Sequence, residues 1–364
     1  MLKIKRVSAG LLSAPLKKPF KTALRVADAI NSVIVRVETE DGAVGLGEAP
    51  PTAAITGETI ESITSAVLNY IAPAITGRDA GDFEDMLEAV RRAAANNTSA
   101  KAAVDMALYD VRARALNLPL YRLLGGAGPT AELESDVTIS LNDARQMVED
   151  SVAAVRDGFR ILKVKVGKCG LADARSVMEI RRAVGAVVEL RVDANQGWTP
   201  KESVRIIGAM EDGGCDISLV EQPVAAHDTD GLRYVTQRTA TPILADEAVF
   251  TPRDAVEIIR TGAADMINIK LMKAGGIREA LKICDIAAIY GTPCMMGCML
   301  ETRLAVSAAA HVAASRRVIT MADLDGPMLC ASDPFGGGPR FDGARITLSD
   351  EPGIGIRAPD IAFA

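Results

Sequence analysis

Apolar and polar side chains alternate over residues 32–37, Asp41 and Gly42 supply a tight turn, and the alternation resumes over 43–48. A period of two around such a turn predicts a β-hairpin. Three stretches of helical period follow, roughly 58–70, 82–95 and 98–117; in the last, Ala103, Val104, Ala107, Leu108 and Val111 share one face. Pro119 and the pair Gly125 and Gly126 then punctuate the chain, and a domain boundary is expected there. This divides the chain into an α+β unit over 1–126, a second unit over 127–327, and a C-terminal segment, 328–364, returning to the first.

Beyond the boundary the texture changes to short β-rich runs separated by helices. The runs cover 135–141, 161–166, 189–195, 218–222, 243–247, 266–271, 293–301 and 318–325. Polar residues sit at their C-terminal ends. From Lys165 to Asp193 is 28 residues, then 28 to Glu221, 25 to Asp246 and 24 to Lys270. A βα unit of that length repeated about eight times is the period of a (β/α)8-type barrel, which gathers its site at the C-terminal ends of its strands. Spacing alone leaves an open doubly wound sheet available.

Composition narrows the class. The chain has 364 residues, is 49% hydrophobic, and carries 41 basic against 47 acidic side chains, a net charge of −6. An acidic balance without long runs of one sign disfavours nucleic acid as a partner. The longest uncharged stretch, 286–300, is interrupted by Gly291 and Pro293 and is too short to span a bilayer. Five lysines and arginines are scattered through the first 20 residues, unlike a signal peptide, and the six cysteines lack C-x-x-C spacing. Reduced thiols and a cytoplasmic location are expected.

The polar strand ends carry the chemistry. Asp193, Glu221 and Asp246 end three successive strands, so a barrel sets them side by side on its rim. Three hard oxygen donors suit Mg2+, with Mn2+ as a substitute. Neither histidine lies at a strand end: His227 follows the fourth strand and His311 falls in a helical run. Lys163 and Lys165 are two apart on ILKVKVG and face one side. If Leu162, Val164 and Val166 face the helices, both lysines point inward. Two ammonium groups roughly 7 Å apart repel by about 2.4 kcal/mol at an effective dielectric of about 20, or about 1.7 pKa units. Repulsion of that size is expected to push one lysine toward neutrality, as a base requires. Lys270, ending the sixth strand in NIKLMK, lies across a barrel from the second. Two amines on opposite faces of one carbon are what a 1,1-proton transfer needs, and a dication stabilises the charge left when a proton α to a carboxylate departs.

The motifs KVKVG, DANQGW, VEQPV, ADEAVF and NIKLMKAGGI resemble the muconate-lactonizing subgroup of the enolase superfamily over essentially the whole chain. The resemblance implies a modified (β/α)7β TIM-type barrel with an α+β capping domain. It also implies metal ligands at Asp193, Glu221 and Asp246, an acid/base pair of Lys165 and Lys270, and Lys163 as charged neighbour. Related enzymes commonly form symmetric assemblies, so a homo-oligomer is expected.

Several reactions share these groups. The last strand ends in Asp323, Leu324 and Asp325; period two turns both acids inward, where an ammonium ligand satisfies them. The pattern resembles the Asp-x-Asp signature with which dipeptide epimerases hold a free amino terminus. Arg25, in PLKKPFKTALR, resembles the residue associated with Ala-Glu dipeptides, where a guanidinium holds the side-chain carboxylate. Thr138 on the first strand is a candidate contact to the substrate carboxylate. Glu301 in MLET and Glu247 are candidate supporting groups, and KAGGI reads as a turn into a helix. The expected activity is epimerisation of a dipeptide such as L-Ala-D/L-Glu. A muconate cycloisomerase or an o-succinylbenzoate synthase stays open as an alternative on the same groups. A Schiff-base aldolase barrel leaves three rim carboxylates without a task, and a non-enzymatic binding protein leaves the whole set without one.

Overall fold

Strands β1 (Ile4–Lys21), β2 (Val26–Thr39) and β3 (Val44–Ala49) form an antiparallel sheet in that order, in a computed structural model that describes residues 2–127 and 131–364. The expected hairpin is the β2–β3 pair, in register from Val33 opposite Ala49 to Glu38 opposite Val44. The alternation does not predict β1, which runs through Pro15 and Pro19 and loses pairing between Pro15 and Phe20. An edge strand tolerates prolines whose missing N–H would break a central ladder. The C-terminal segment returns to this strand, with Phe363 opposite Gly10 and Cys330 opposite Leu16.

The helix expected over 58–70 is broken into Ile60–Ser65, a wide π turn Ala66–Ile71 and a short helix Ala72–Ile75. The widening falls just before Pro73, whose ring cannot sit in a regular helix interior. Thr59 caps the first piece: its hydroxyl accepts the Ser62 N–H, and the Ser62 hydroxyl accepts its own N–H. Glu58 has another task. Its carboxylate accepts the N–H groups of Ser99 and Ala100 at 2.8 and 3.1 Å and so caps the helix Thr98–Ala115, whose left-handed Asn97 offers no side-chain cap.

A short strand β4 (Glu132–Glu134) pairs with the C-terminal segment. Eight parallel strands then lie side by side in chain order: β5 (Val137–Ile139), β6 (Ile161–Lys165), β7 (Glu189–Asp193), β8 (Ile217–Glu221), β9 (Ile243–Ala245), β10 (Met266–Ile269), β11 (Cys294–Gly297) and β12 (Ile319–Asp323). A parallel bridge between Ser135 and Ala322 brings the two ends together. Helices follow each of the first seven strands and only a single turn, Gly326–Leu329, follows β12. This is a (β/α)7β barrel, not an open sheet. The strands are shorter than the β-rich runs; residues 298–302 leave the sheet, and Glu301 turns back to accept the Met299 N–H at 2.7 Å. Leu162 and Val164 on β6 are fully buried. Inside the barrel, Leu219, Leu244 and Met295 form a separate apolar plug beneath the polar strand ends. No helix among the described residues is long and apolar enough to cross a membrane.

Buried carboxylates fasten the cap to the barrel. Glu48, at the end of β3 and fully buried, accepts from the Ser32 hydroxyl at 2.8 Å, the Thr302 N–H at 2.9 Å, the Thr302 hydroxyl at 2.6 Å and the Ala305 N–H at 3.0 Å. It therefore supplies the negative cap for the barrel helix Arg303–Ser315. Asp105 repeats the device, accepting the Ile277 N–H at 2.5 Å at the start of the helix Ile277–Tyr290. Gly276 beside it has φ +122°, and a Cβ there would stand 2.4 Å from Asp105 Cγ. Only glycine fits. His311, on the same barrel helix that Glu48 caps, accepts the Tyr121 N–H through Nδ1 at 3.1 Å. Burial brings its pKa down to about 4.

Two outcomes are expected. Glu48→Ala leaves the Thr302 and Ala305 N–H groups buried without an acceptor and should cost about 3 kcal/mol in urea unfolding. His311, with its folded pKa below the unfolded value of about 6.5, binds fewer protons when folded. The stability it contributes is present above pH ~6.5 and is lost as pH falls toward 4. Between pH 7 and 4.5 the loss is about 2 kcal/mol. It should be absent in His311→Asn, which keeps an acceptor for Tyr121; equal pH dependence of the two proteins would refute the assignment.

Candidate active site

Pairing in the barrel puts Lys165 opposite Asp193 and Asp193 opposite Glu221. In parallel strands, paired residues share a face, so these three side chains point into the barrel at one level. One level lower, Lys163 pairs with Arg191 and with Thr138. Asp246 lies one residue past β9, and Lys270 one residue past β10. Among the eight strands β6 is second and β10 sixth, so Lys165 and Lys270 approach from opposite sides of the barrel. Both line one pocket, together with Thr138, Asp323 and Asp325 from the barrel and Arg25 from the cap.

The charges are paired tightly. Lys165 Nζ lies 2.5 Å from Asp193 Oδ2, and Lys270 Nζ 2.6 Å from Asp246 Oδ2. Lys163 Nζ sits among three carboxylates, 2.6 Å from Asp323 Oδ2, 2.7 Å from Glu221 Oε2 and 3.2 Å from Asp193 Oδ2. This corrects the expectation that bare repulsion between Lys163 and Lys165 governs the pair. Burial pulls the Lys163 pKa down, but Asp323, Glu221 and Asp193 outweigh it and hold the ammonium well above its ordinary value. Lys270 is likewise held up against burial by Asp246 and Glu221.

The chain was compared with known proteins. Residues 7–125 match the model of the mandelate racemase/muconate lactonizing enzyme N-terminal domain, and residues 146–361 that of the enolase C-terminal domain-like family. The chain belongs to the enolase superfamily. It is 50% identical over 353 residues to the L-Ala-D/L-Glu epimerase of Clostridium acetobutylicum, covering 97% of this chain and 98% of the relative. A substrate-liganded L-Ala-D/L-Glu epimerase from Bacillus subtilis superposes with a TM-score of 0.96 at 49% identity, over 99% of this chain and 100% of that one. A dipeptide epimerase from Enterococcus faecalis, complexed with Mg and L-Leu-L-Tyr, gives 0.93 at 42% identity over 98% and 99%.

Do the acids of this enolase-superfamily site suit a hard dication? Among the described residues no three His, Cys, Asp or Glu side chains close into a ready-made cage, and Lys163 Nζ stands among the oxygens of Asp193 and Glu221. The donor chemistry fits all the same. Glu221 Oε2 accepts no aligned hydrogen bond and meets only the Lys163 ammonium, an ion pair at 2.7 Å. Asn195 Oδ1 and both oxygens of Glu247 are buried without any hydrogen bond. Buried oxygens without donors are what a cation and its water would satisfy.

The remaining candidates separate. Asp323 and Asp325 both face the pocket; Asp323 Oδ2 meets Lys163, and Asp325 Oδ2 accepts the Thr138 N–H at 2.7 Å. Burial and the neighbouring Asp323 raise the Asp325 pKa to about 6. Thr138 therefore positions Asp325 through its backbone as well as lining the pocket. Arg25 is half-buried, its guanidinium has no hydrogen bond or ion pair among the described residues, and burial lowers its pKa. Glu301 is not in the pocket wall. It lies behind it, 1% exposed, with its pKa raised to about 8 by burial and by Glu48, where a supporting group rather than a pocket-lining one would stand.

Sequence reasoning missed Asn268 and Gln222, and read Lys273 only as part of a turn into a helix. Asn268 donates to Glu221 Oε1 at 2.9 Å, and its position two before Lys270, hence on the inward face of β10, was a usable signal. Gln222 Oε1 accepts the N–H groups of Asp246 and Ala248, a link across strands that no local pattern announces. Gly297 was also silent: a Cβ there would lie 2.5 Å from Asn268 Oδ1 and 2.9 Å from Lys270 Cε, so its bareness leaves room for Lys270.

Removing Lys163 tests the balance of charge. In metal-free buffer Lys163→Met strands Asp193, Glu221 and Asp323 together and should cost about 3–5 kcal/mol in denaturant unfolding. Adding Asp323→Asn should restore part of it. A neutral effect of the single change would show that the acids do not depend on this ammonium.

Proposed function

We propose that this chain is a dipeptide epimerase, moving a proton between the two faces of the α-carbon in the C-terminal residue of a small acidic dipeptide such as L-Ala-D/L-Glu. The observation that carries the reading is the placement of Lys165 and Lys270 on opposite sides of one pocket whose wall also carries two aspartates and an arginine. Similarity to epimerases of that class over nearly the full chain supports it.

Asp193, Glu221 and Asp246 would hold Mg2+, which when bound supplies Lewis-acid stabilisation for the negative charge gathered on the substrate carboxylate. The chain's own residues do the rest. Lys165, as a neutral amine, takes the α-proton from one face, and the ammonium of Lys270 gives a proton to the other; the reverse direction exchanges their roles. One proton leaves carbon and one returns, so the reaction is an isomerisation. Lys163 keeps its charge near the acids and takes no proton from substrate.

Asp323 and Asp325 accept the substrate ammonium through the oxygens not committed to Lys163 and the Thr138 N–H. Arg25, half-buried and with a guanidinium that has no hydrogen bond or ion pair among the described residues, pairs with the acidic side chain at the other end. A muconate or succinylbenzoate substrate has no ammonium and would set its own carboxylates against these two acids, which disfavours the alternative activities.

The test is α-hydrogen exchange. With L-Ala-L-Glu in D2O, proton NMR should show deuterium entering the glutamate α-position and the second epimer accumulating, only when Mg2+ is present. Lys165→Ala and Lys270→Ala should each lower epimerisation at least about 1000-fold, a loss typical of removing a required acid or base. Arg25→Met should raise KM for L-Ala-L-Glu about 10- to 100-fold, the loss of a charge-assisted pair, with little change for L-Ala-L-Ala. Absence of exchange with every dipeptide in the presence of Mg2+ would end the proposal.

A further inference from the structure

Lys273 is a buried cation that the epimerase mechanism does not use. It is 1% exposed, lies three residues past Lys270, and does not line the pocket. Its Nζ donates to the backbone carbonyl of Asp246 and, at 2.9 Å, to that of Asn268, and it stands 2.6 Å from Asp246 Oδ1. It thereby ties the end of β9 to the end of β10. Asp246 is held elsewhere too, because its N–H donates to Gln222 Oε1 at 2.9 Å. Three of the four polar groups of Asp246, its N–H, its carbonyl and Oδ1, are therefore fixed from the side away from the pocket. Only Oδ2 remains, 2.6 Å from Nζ of the pocket-lining Lys270.

We infer that Lys273 is a positioning residue that makes Asp246 a one-oxygen ligand: it retains Oδ1 and leaves Oδ2 alone to face a dication. The inference rests on the reading of Asp246 as a metal ligand. Its consequence is selectivity. Mg2+ takes near-ideal octahedral geometry at about 2.0–2.1 Å, and the short bite of a carboxylate does not span an octahedral edge at that radius; Ca2+, at about 2.3–2.6 Å with 6–8 ligands, accepts two-oxygen carboxylates readily. Holding Oδ1 away thus favours Mg2+ over Ca2+, without Lys273 touching metal or substrate. With Oδ2 committed to a dication, Lys270 would give up its present partner, 2.6 Å away, and its ammonium would be left to the pocket.

Isothermal titration of the metal-free full chain with MgCl2 and with CaCl2, no substrate present, gives two dissociation constants and their ratio. Lys273→Met, checked for native near-ultraviolet circular dichroism, should shift the Mg2+/Ca2+ affinity ratio toward Ca2+ by about 10-fold or more, the scale of losing a supporting group around a metal. A purely structural loss would weaken both ions in parallel, and an unchanged ratio overturns the inference. Should Lys273→Met not fold, crystals of the unaltered protein soaked in Mg2+ decide instead. Asp246 bound through Oδ2, with Lys273 still on Oδ1, supports the inference; Asp246 chelating through both oxygens, or through Oδ1, overturns it. If the unaltered protein binds neither ion, the metal-ligand reading itself fails and this one with it, an outcome distinct from binding with an unchanged ratio.

Discussion

Ion pairs buried at the C-terminal ends of the barrel strands constrain everything around them. Lys163, Lys165, Lys270 and Lys273 stand against Asp193, Glu221, Asp246 and Asp323, each within ion-pair distance of an opposite charge and each at most 7% exposed as a side chain. Taking such groups from water costs several kcal/mol per ion, and only close mutual contact offsets it. No member is independent. The position of Lys165 depends on Asp193, that of Asp193 on Lys163, and that of Lys163 on Asp323 across the barrel seam. A site held this way is accurate because its parts fix one another, and a single neutral substitution is felt by the whole set.

The same dependence explains how much could be read without coordinates. The rim residues were legible because a (β/α) period of 24 to 28 residues places chemically unusual side chains at one phase of a repeating pattern. The hairpin and the long helix Thr98–Ala115 were legible from their periods of two and of 3.6, although the helix is buried on all sides over most of its length and the strands on both faces. What failed was whatever depends on partners distant in sequence. Lys163 and Lys165 look, on one strand, like two cations repelling each other; the three acids that reverse that conclusion come from β7, β8 and β12. Glu301 was placed near the end of the seventh strand because the apolar run 293–301 gives no sign that pairing stops at Gly297. β1 was hidden by its prolines and lysines, and Gln222, which fixes Asp246 across a strand boundary, has no local signature at all.

Cap and barrel are joined by the devices that set the pocket. Glu48 caps the helix that follows β11, and Asp105 caps the helix that follows β10. These are the two strands that carry Lys270 and the glycine that makes room for it. The cap therefore does more than close the barrel mouth. Its buried carboxylates anchor the helices immediately behind Lys270, while its hairpin tip brings Arg25 to the pocket. A shift of the cap would be transmitted to Lys270 through two helix starts, because packed interiors pass displacement on instead of absorbing it.

Reaction and specificity consequently reside in different physical materials. The lysines and acids sit on strand ends, in a layer whose ion pairs leave little freedom, above the plug of Leu219, Leu244 and Met295. The groups that would choose among substrates lie at its margin: Asp325 just past the last strand, and Arg25 in the turn between β1 and β2. The Arg25 guanidinium has no hydrogen bond or ion pair among the described residues, so exchanging it would change the lining of the pocket without disturbing the charge layer. Exchanging any rim lysine does disturb it. A fold arranged in this way can change its substrate at the cap with little cost to stability, but can change its chemistry only by rebuilding a coupled set of buried charges.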